Sequence, residues 1–284
     1  MANIAFLGTG LLGGALAEAA AKRGDTVAAW NRSPDKAQAL AQFGVRPAAT
    51  PAEAVRGASR VHLVLKDDAV VEEIIVAARA GLSPAAILVD HTTTLPVFTA
   101  ERALRLGAAR VNYLHCPVFM GPAAARNAQG SMMVAGPATL FESVKEALAG
   151  MTGRLEYLGE RPDIAAVNKL FGNAMILGIA AMTADILTMA QASGVAAADA
   201  IKLLGLLDLN AMVAGRGMNM AKANFAASFE LAMARKDVRL MLETAGNRPL
   251  AALPAIAARM DQLIAAGHGA DDACVMAIDA VRPA

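Results

Sequence analysis

The beginning of the chain constrains the fold more than any other stretch. The apolar run NIAFL is followed directly by Gly8, Gly10 and Gly13, and then by the alanine-rich run LAEAA. A strand that enters a G-x-G-x-x-G turn and leaves it as a helix is typical of a βαβ unit that binds a dinucleotide. The first glycine permits the tight turn, the second lets the backbone approach a pyrophosphate, and the third lets helix and strand pack closely. An ordinary glycine-rich turn is the alternative, and the strand–turn–helix context favours the cofactor site.

The end of the second predicted strand, TVAAW, bears on which dinucleotide would bind. A carboxylate at this point binds the ribose 2′-hydroxyl of NAD, but this chain continues with Asn31, Arg32 and Ser33. Arg32 can bind a 2′-phosphate through two hydrogen bonds, and Ser33 can donate another. The sequence therefore predicts NADP as the cofactor. The alternative is that Arg32 is a solvated loop residue and the site does not discriminate.

The distribution of strand-like and helix-like segments changes near residue 160. Before it, near-continuous apolar runs such as RVHLVL and AAILVD alternate with helical stretches, which favours a parallel sheet covered on both faces. After it the pattern is helical throughout and opens with one long helix, residues 163–193. We therefore expect an α/β domain, 1–161, with a Rossmann-type doubly wound parallel sheet. An all-α domain for substrate binding and dimerisation, 162–284, should follow, joined to it by the long helix.

Composition and charge exclude several classes of protein. The formal net charge is +1, from 26 basic and 25 acidic residues, and aromatic residues make up 4% of the chain. Such a balance offers no broad field for nucleic acid or anionic lipid. The long helix is apolar, but polar residues interrupt it, so we predict a core helix and no membrane partner. The interrupting residues are Lys169, Asn173, Thr183 and Asp185.

The cysteines and histidines predict neither a metal site nor an oxidising compartment. Cys116 and Cys274 lie far apart and form no C-x-x-C pair, and the four histidines have no metal-ligand spacing. The opening residues predict a strand and a turn and not a secretory signal. We expect a cytoplasmic protein with no metal cofactor.

One charged side chain lies in the most apolar part of the long helix. The run IAAVNKLFGNAMILGIAAM contains Lys169 and, one turn later, Asn173. A buried ammonium is costly unless it is paired or used. Lys169 could extend to solvent or pair with a carboxylate. It could also donate a proton in catalysis, because desolvation lowers the pKa of a lysine, and Asn173 on the same helix face could orient it.

With these features the chain resembles the β-hydroxyacid dehydrogenase family, which includes 3-hydroxyisobutyrate dehydrogenase, tartronate semialdehyde reductase and, more distantly, 6-phosphogluconate dehydrogenase. The resemblance spans nearly the whole chain and rests on five stretches. They are the N-terminal glycine loop, DHTTTLP at 90–96, CPVFMGPAAARNAQGSM at 116–132, NKLFGN at 168–173, and KDVRLMLETAGNRPLAALP at 236–254.

The resemblance implies reversible hydride transfer between NADPH and a small carbonyl or hydroxy compound, in a cleft between the two domains. It implies that Lys169 is the general acid or base and that Asn173 holds the substrate or orients the lysine. The implied cofactor residues are Gly8, Thr9, Gly10, Leu11, Leu12, Gly13, Asn31, Arg32, Ser33, Leu65, Lys66, Thr93 and Lys236. The implied substrate residues are Thr92, Phe119, Met120 and Gly121.

Two departures from the family pattern bear on the substrate. The family's Ser-Gly-Gly is here Phe119-Met120-Gly121, and Gly172 replaces the first asparagine of K-x-x-N-N. A bulkier, apolar pocket should accept compact hydroxy acids poorly and favour a substrate with an uncharged portion. Imine reductases share the fold and have apolar pockets, although they generally lack the lysine. Imine reduction and a cofactor-binding sensor without turnover are therefore the alternative functions.

Further expectations concern two histidines and the surface of the long helix. His91, and His115 where the family usually has aspartate, are expected to be solvated or core histidines. The long helix is apolar almost all round, which predicts burial on several sides and, with its length, a homodimer. The residues behind this prediction are Met175, Ile176, Ile179, Met182 and Ile186.

Overall fold

The computed structural model of the chain describes residues 2–281 and divides into two compact units, 1–173 and 174–284. The division falls inside the long helix, so the first unit contains the beginning of that helix, including Lys169. The predicted limit of the cofactor domain, 161, lies a little earlier in the chain and stays a prediction.

A parallel sheet forms the centre of the first unit. Its strands are β1 (Asn3–Leu7), β2 (Thr26–Trp30), β3 (Arg46–Pro47), β4 (Arg60–Leu63), β5 (Ile87–Asp90) and β6 (Asn112–His115). Within the described residues the sheet has six strands in the order β3-β2-β1-β4-β5-β6, and every pair is parallel. This is the doubly wound order, which confirms the predicted Rossmann-type fold.

Helices follow the strands of this sheet. They are α1 (Leu11–Lys22), α2 (Pro34–Gln38), α3 (Pro51–Ala54), α4 (Asp68–Ala78) and α5 (Pro96–Ala108). Successive residues of β1 belong to two different hydrophobic clusters, because successive side chains of a strand point to opposite faces. Phe6 packs in the cluster that holds Leu16 of α1, and Leu7 packs in the one that holds Val71 of α4. The sheet is thus covered on both faces, as its apolar strands predict.

A smaller sheet completes the first unit. It consists of β7 (Val118–Phe119), β8 (Ser131–Val134) and β9 (Arg154–Tyr157), together with helices α6 (Pro122–Arg126) and α7 (Ala138–Ala149). Strand β7 is antiparallel to β8, and β8 is parallel to β9. Two backbone hydrogen bonds between His115 and Ala135 link this sheet to β6. The chain segment after β6 is therefore held on both sides.

The long helix α8 (Ile164–Ala192) has almost the predicted limits, but it is not a core helix in the single chain. Met175, Ile176 and Ile179 are 48%, 54% and 53% exposed, because little of the chain packs over this part of the helix. Among the described residues it is also the one helix whose length and composition would permit a membrane span. A single helix of this kind carries little weight, since soluble proteins contain helices of the same length and composition.

The second unit is built from helices, as predicted. After the end of α8 these are α9 (Ala197–Lys202), α10 (Leu209–Ala221), α11 (Leu231–Ala245), α12 (Leu253–Leu263) and α13 (Ile278–Val281). Leu231, Leu253 and Met260 pack in its core. Asp185 of α8 is 1% exposed and accepts hydrogen bonds from the backbone N–H groups of residues 251–253, at the start of α12. This buried carboxylate fixes α12 to the long helix.

Candidate active site

Apart from Lys169 and Asn173, which lie on α8, the predicted site residues of the first unit follow the carboxyl ends of adjacent strands. Residues 8–13 follow β1, 31–33 follow β2, 65–66 follow β4, 92–93 follow β5 and 119–121 follow β6. In a parallel sheet these ends lie along one edge, and ligands of open α/β folds bind there, where the strand order reverses. The reversal in this sheet lies between β1 and β4.

The three glycines of the first loop have different surroundings. Gly8 has a φ of +97°, and a Cβ there would overlap the carbonyl oxygen of Val64. A Cβ on Gly13 would overlap the carbonyl oxygen of Gly8. A Cβ on Gly10 would meet nothing within 4 Å, so the space before this residue is open. The open position is the one at which the motif lets a pyrophosphate approach.

The start of α1 supplies donors for that pyrophosphate. Gly10 is the N-cap residue and provides no side-chain cap, so the first N–H groups of this 12-residue helix keep free hydrogen-bonding capacity. Thr9 is 5% exposed, and its Oγ1 has no hydrogen-bond partner within the described residues. An unsatisfied buried hydroxyl beside an open glycine fits a polar ligand at this loop.

A cavity of about 320 Å³ lies between the loops after β1, β2 and β4. Its lining includes Gly8, Gly10, Arg32, Ser33, Lys36 and Lys66. Ser33 occupies the N-cap position of α2 but makes no cap hydrogen bond, so its hydroxyl remains available to a ligand. Five predicted residues therefore share one concave surface with the glycine loop: Asn31, Arg32, Ser33, Leu65 and Lys66. A larger cavity of about 430 Å³ lies at the amino end of β6, by Val111 and Asn112, away from this edge.

Asn31 has a structural role besides its predicted one, and Lys36 is a cavity residue that the sequence did not suggest. The Asn31 side chain accepts from the Thr9 N–H at 3.0 Å and donates to the Ser33 carbonyl at 3.1 Å, so it joins the two loops. Asn31 also lines the cavity, so its predicted contact with a cofactor stays a prediction. Lys36 was not predicted, although it lines the cavity and stands three residues after Ser33. The short spacing from Arg32 across the first turn of α2 is the signal that could have identified it.

The loop after β5 is fixed by hydrogen bonds. Thr92 is 2% exposed, its Oγ1 accepts from the Leu65 N–H at 3.1 Å, and its own N–H donates to Asp90 at 2.9 Å. Thr93 is exposed, in contrast, and is the more accessible of the two predicted threonines. The contacts make Thr92 a link between the loops after β4 and β5, and its predicted contact with substrate stays a prediction.

Buried histidines make hydrogen bonds to the backbone near these loops. His62 and His91 stack with ring centroids 5.3 Å apart and are joined by a 2.9 Å hydrogen bond, while His91 also contacts the Cys116 carbonyl at 2.7 Å. His115 contacts the Thr92 carbonyl at 3.0 Å. Burial lowers the pKa of all three rings, most strongly for His62. His91 and His115 are thus core residues and neutral near pH 7, and burial raises the pKa of the Cys116 thiol well above its usual value.

Lys169 lies against the segment that follows β6. Its Nζ donates to the Val118 carbonyl at 2.8 Å and lies 4.1 Å from the centroid of the Phe119 ring. The pKa of Lys169 is lowered because the group is partly withdrawn from water. An ammonium with one proton used by Val118 still has two to donate. Such a group can give a proton to an oxygen placed beside it more readily than a solvated lysine can.

The other predicted residues have different surroundings. Met120 and Asn173 are partly buried, whereas Gly121 is exposed and begins α6. Lys236 belongs to the second unit, where its Nζ lies 3.0 Å from Asp237, so its contact with the cofactor stays a prediction. Within residues 2–281 no group of three or more histidine, cysteine or acidic side chains is arranged to hold a metal ion.

Comparison with known families identifies the chain. Residues 3–159 match the family described as the NAD binding domain of 6-phosphogluconate dehydrogenase. The chain belongs to this family. The match covers the glycine loop and the loops after β2, β4, β5 and β6. It contains the first three of the five sequence stretches and confirms the inferred resemblance. The protein is accordingly an NAD(P)-binding oxidoreductase of the 6-phosphogluconate dehydrogenase type.

Similar proteins of known sequence extend the likeness into the second unit. An uncharacterized oxidoreductase of Shewanella frigidimarina is 28% identical over 265 residues, covering 89% of this chain and 90% of the relative. Glyoxylate/succinic semialdehyde reductase 1 of Arabidopsis thaliana is 27% identical over 262 residues, with 88% and 89% covered. Cytokine-like nuclear factor N-PAC of Xenopus tropicalis is 26% identical over 244 residues, covering 84% of this chain but 46% of that protein. The chain thus spans less than half of N-PAC.

Two solved structures show the same fold across both units. An imine reductase from Pseudomonas sp. has a TM-score of 0.89 at 21% identity, covering 98% of this chain and 99% of that one. An imine reductase from Myxococcus stipitatus in complex with NADP+ has a TM-score of 0.88 at 21% identity, covering 96% and 98%. At this level of identity the likeness concerns the fold alone.

Proposed function

We propose that the protein is an NADP-dependent oxidoreductase that interconverts a small carbonyl compound, an aldehyde, semialdehyde or ketone, and the corresponding alcohol. The observation that carries the proposal is Lys169, held half-buried against the segment after β6 with a lowered pKa. It adjoins the carboxyl edge of the sheet, which is where open α/β folds bind their ligands. The relative named glyoxylate/succinic semialdehyde reductase supports a carbonyl substrate.

Lys169 would act on the oxygen of the reacting carbonyl. NADPH, when bound, supplies the hydride to carbon. The negative charge that then develops on oxygen is stabilised by the ammonium, which also gives it a proton; in the reverse direction the neutral amine accepts that proton. The hydrogen bond to Val118 holds Nζ in one position, so little reorganisation is needed during the step.

NADP is proposed over NAD because of the loop after β2. Arg32, Ser33 and Lys36 line the cavity beside the glycine loop and offer two cations and a free hydroxyl. Asn31 stands where an NAD site has a carboxylate, so residue 31 itself does not repel a 2′-phosphate. The carboxylate that does line the cavity, Glu73, belongs to α4 and faces more than one cation there. The solved imine reductase with bound NADP+ has the same fold, which is compatible with this choice.

Two alternative functions have specific support. Reduction of a C=N bond is favoured by the imine reductases of the same fold and by the apolar Phe119 beside Lys169. Lys169 speaks against it, because a protonated imine needs no further proton at nitrogen during hydride transfer. Binding of the cofactor without turnover is supported by the likeness to a protein named as a nuclear factor.

The test follows NADPH oxidation with semialdehydes, uncharged aldehydes, ketones and cyclic imines, for the unmodified protein and for Lys169→Ala. We expect the variant to lose ~10²-fold or more in turnover, the scale of general acid and electrostatic contributions. Lys169→Arg should be nearly as slow, because an arginine keeps the charge but does not release a proton. The control is Lys145→Ala, at an exposed position of α7, which should keep full activity.

Cofactor binding measured in parallel separates the alternatives. Lys169→Ala should bind NADPH as the unmodified protein does. Turnover of cyclic imines alone would favour imine reduction. Tight NADPH binding without oxidation by any compound would favour the sensor. Near-normal carbonyl reduction by Lys169→Ala would contradict the role of the lysine.

Assembly and location belong to the same proposal. We propose a homodimer in which a second copy covers the exposed apolar face of α8 around Met175, Ile176 and Ile179. Exposed apolar surface of this kind on a soluble protein is typical of an interaction site. The free thiols Cys116 and Cys274 suit a reducing compartment, and we propose the cytoplasm.

A further inference from the structure

The two departures from the family pattern meet at one point of the first unit. A Cβ built on Gly172 would lie 2.7 Å from Cε1 of Phe119 and closer still to its Cζ. Real Cβ atoms essentially never lie within 3.0 Å of a heavy atom to which they are not bonded. The tip of the Phe119 ring therefore rests on the backbone of α8 at Gly172, and any larger residue there would displace the ring.

The backbone that carries Phe119 has little freedom to retreat. Phe119 lies in β7, paired with Ser131 of β8, and the neighbouring Val118 carbonyl accepts a hydrogen bond from the Lys169 ammonium. Gly130, with a φ of +84°, also packs against this segment, since a Cβ there would lie 2.6 Å from the Phe119 carbonyl oxygen. A clash at Gly172 must consequently be relieved by the ring, which would turn away from both Gly172 and Lys169.

The ring changes the chemical character of the space beside Lys169. It covers one side of the ammonium at 4.1 Å, and the segment 116–122, CPVFMGP, provides no hydroxyl or charged side chain. A carboxylate brought to this place would exchange water for ring carbon, which is costly, whereas an apolar substituent would gain from burial.

We propose that Phe119 and Gly172 act as one substrate-selecting pair: the glycine makes room for the ring, and the ring excludes a carboxylate from the side of Lys169 and accepts an uncharged, apolar substituent. The inference rests on the proposed function for its statement about turnover. The preferred substrate is then an uncharged aldehyde or ketone, and a compact oxo or hydroxy acid is disfavoured.

The first experiment tests the pair itself and needs no substrate. Gly172→Ala is made in the unmodified protein and in Phe119→Leu, which stays apolar but lacks the ring atoms that meet Gly172. Alanine is a better helix former than glycine, so without the ring the change should raise the melting temperature by roughly 2–4 °C. With the ring present it should lower it.

A matched control uses another glycine in a helix. A Cβ on Gly107, in α5 of the same unit, meets nothing within 4 Å. Gly107→Ala should therefore have the same effect with Phe119 and with leucine at 119. If Gly172→Ala also has the same effect in both backgrounds, the two residues are not coupled and the proposal is overturned.

The second experiment compares succinic semialdehyde with its methyl ester, which present the same aldehyde with and without a charge. We expect specificity constants that favour the ester by ~30-fold or more in the unmodified protein. Phe119→Ser/Gly172→Asn, which restores the family's residue types, should shift this ratio toward the acid by ~10-fold or more, while NADPH binding stays unchanged. A preference for the acid in the unmodified protein, or an unchanged ratio in the double variant, would overturn the proposal.

Failure of the proposed function gives a different result. If the protein with bound NADPH reduces neither compound nor any other carbonyl, the proposed activity is wrong. Calorimetry of the ester and the acid binding to the NADPH-loaded protein then tests whether Phe119 and Gly172 select the uncharged compound. Tighter binding of the ester that is lost in the double variant supports the pair, and equal binding overturns it.

Discussion

Mild acid is expected to destabilise the first unit steeply, because His62, His91 and His115 are buried there as neutral rings. They are 0%, 4% and 0% exposed, and burial lowers the pKa of each below its usual value. In the unfolded chain the same side chains take up protons below about pH 6.5. Unfolding therefore binds protons in that range, so the free energy of unfolding is highest above about pH 6.5 and falls as the pH is lowered.

The magnitude follows from the number of rings. Each histidine that stays neutral in the folded state contributes about 1.4 kcal/mol per pH unit, so three contribute up to ~4 kcal/mol per unit below about pH 6. A typical domain has only about 5–15 kcal/mol of stability, so a loss on this scale over one pH unit is a large part of it. At lower pH the slope falls as His91 and His115, whose pKa is lowered less than that of His62, take up protons in the folded state. Carboxylates such as Glu18, whose pKa is lowered by its bonds to Lys22 and Arg126, add their own loss at lower pH.

Urea unfolding at a series of pH values measures this slope. Trp30, the single tryptophan of the chain, ends β2 and reports on the first unit. His62→Asn should reduce the slope by about one third, or ~1.4 kcal/mol per pH unit, because one ring fewer is protonated on unfolding. His268→Gln, in the second unit, is the control and should leave the slope of the Trp30 signal unchanged. A free energy of unfolding that stays constant between about pH 7 and 5 would refute the argument.

Three other predictions concern the cofactor, the second unit and assembly. NADPH should bind ~10-fold more tightly than NADH, or ~1.4 kcal/mol, and Arg32→Ala but not Arg56→Ala should abolish the difference; equal affinities in the unmodified protein would sink this prediction. Asp185→Ala should destabilise the second unit by at least ~2 kcal/mol, because three N–H groups at the start of α12 lose their acceptor; a melting curve unchanged from that of the unmodified protein would show that water replaces the carboxylate. Light scattering should give twice the 29.1 kDa chain mass at micromolar concentration, and a monomer mass would contradict the proposed dimer.

The sequence predicted the fold well because its signals are local. The G-x-G-x-x-G spacing after an apolar strand specifies a turn whose backbone tolerates no other residue at Gly8 and Gly13, and the structure has that turn. Apolar strands alternating with helices leave few arrangements for a parallel sheet, and the observed strand order is one of them. The extent of α8 was equally predictable, since its long apolar run contains no proline that would interrupt a helix.

Side-chain contacts between distant segments could not be predicted in this way. Asn31 has the right position for a cofactor residue, but its hydrogen bonds to Thr9 and Ser33 depend on how two loops meet. Lys36 reaches the cavity only because α2 starts at Pro34 and turns the chain back toward β2. The exposure of Met175 and Ile176 could not be predicted either, because a helix that is apolar all round does not indicate which of its faces the rest of the chain covers.

Phe119 and Gly172 show most clearly what sequence reasoning omits. As separate departures from a family motif, a large ring in place of serine and a glycine in place of asparagine have no common cause. They lie more than fifty positions apart in the chain, yet the ring occupies the volume that a side chain at 172 would need. Gly172→Asn alone would therefore be harmful, since the asparagine would collide with the Phe119 ring. Phe119→Ser alone would leave a gap where the ring was. The geometry therefore couples the two positions in one direction: asparagine at 172 requires a smaller side chain at 119.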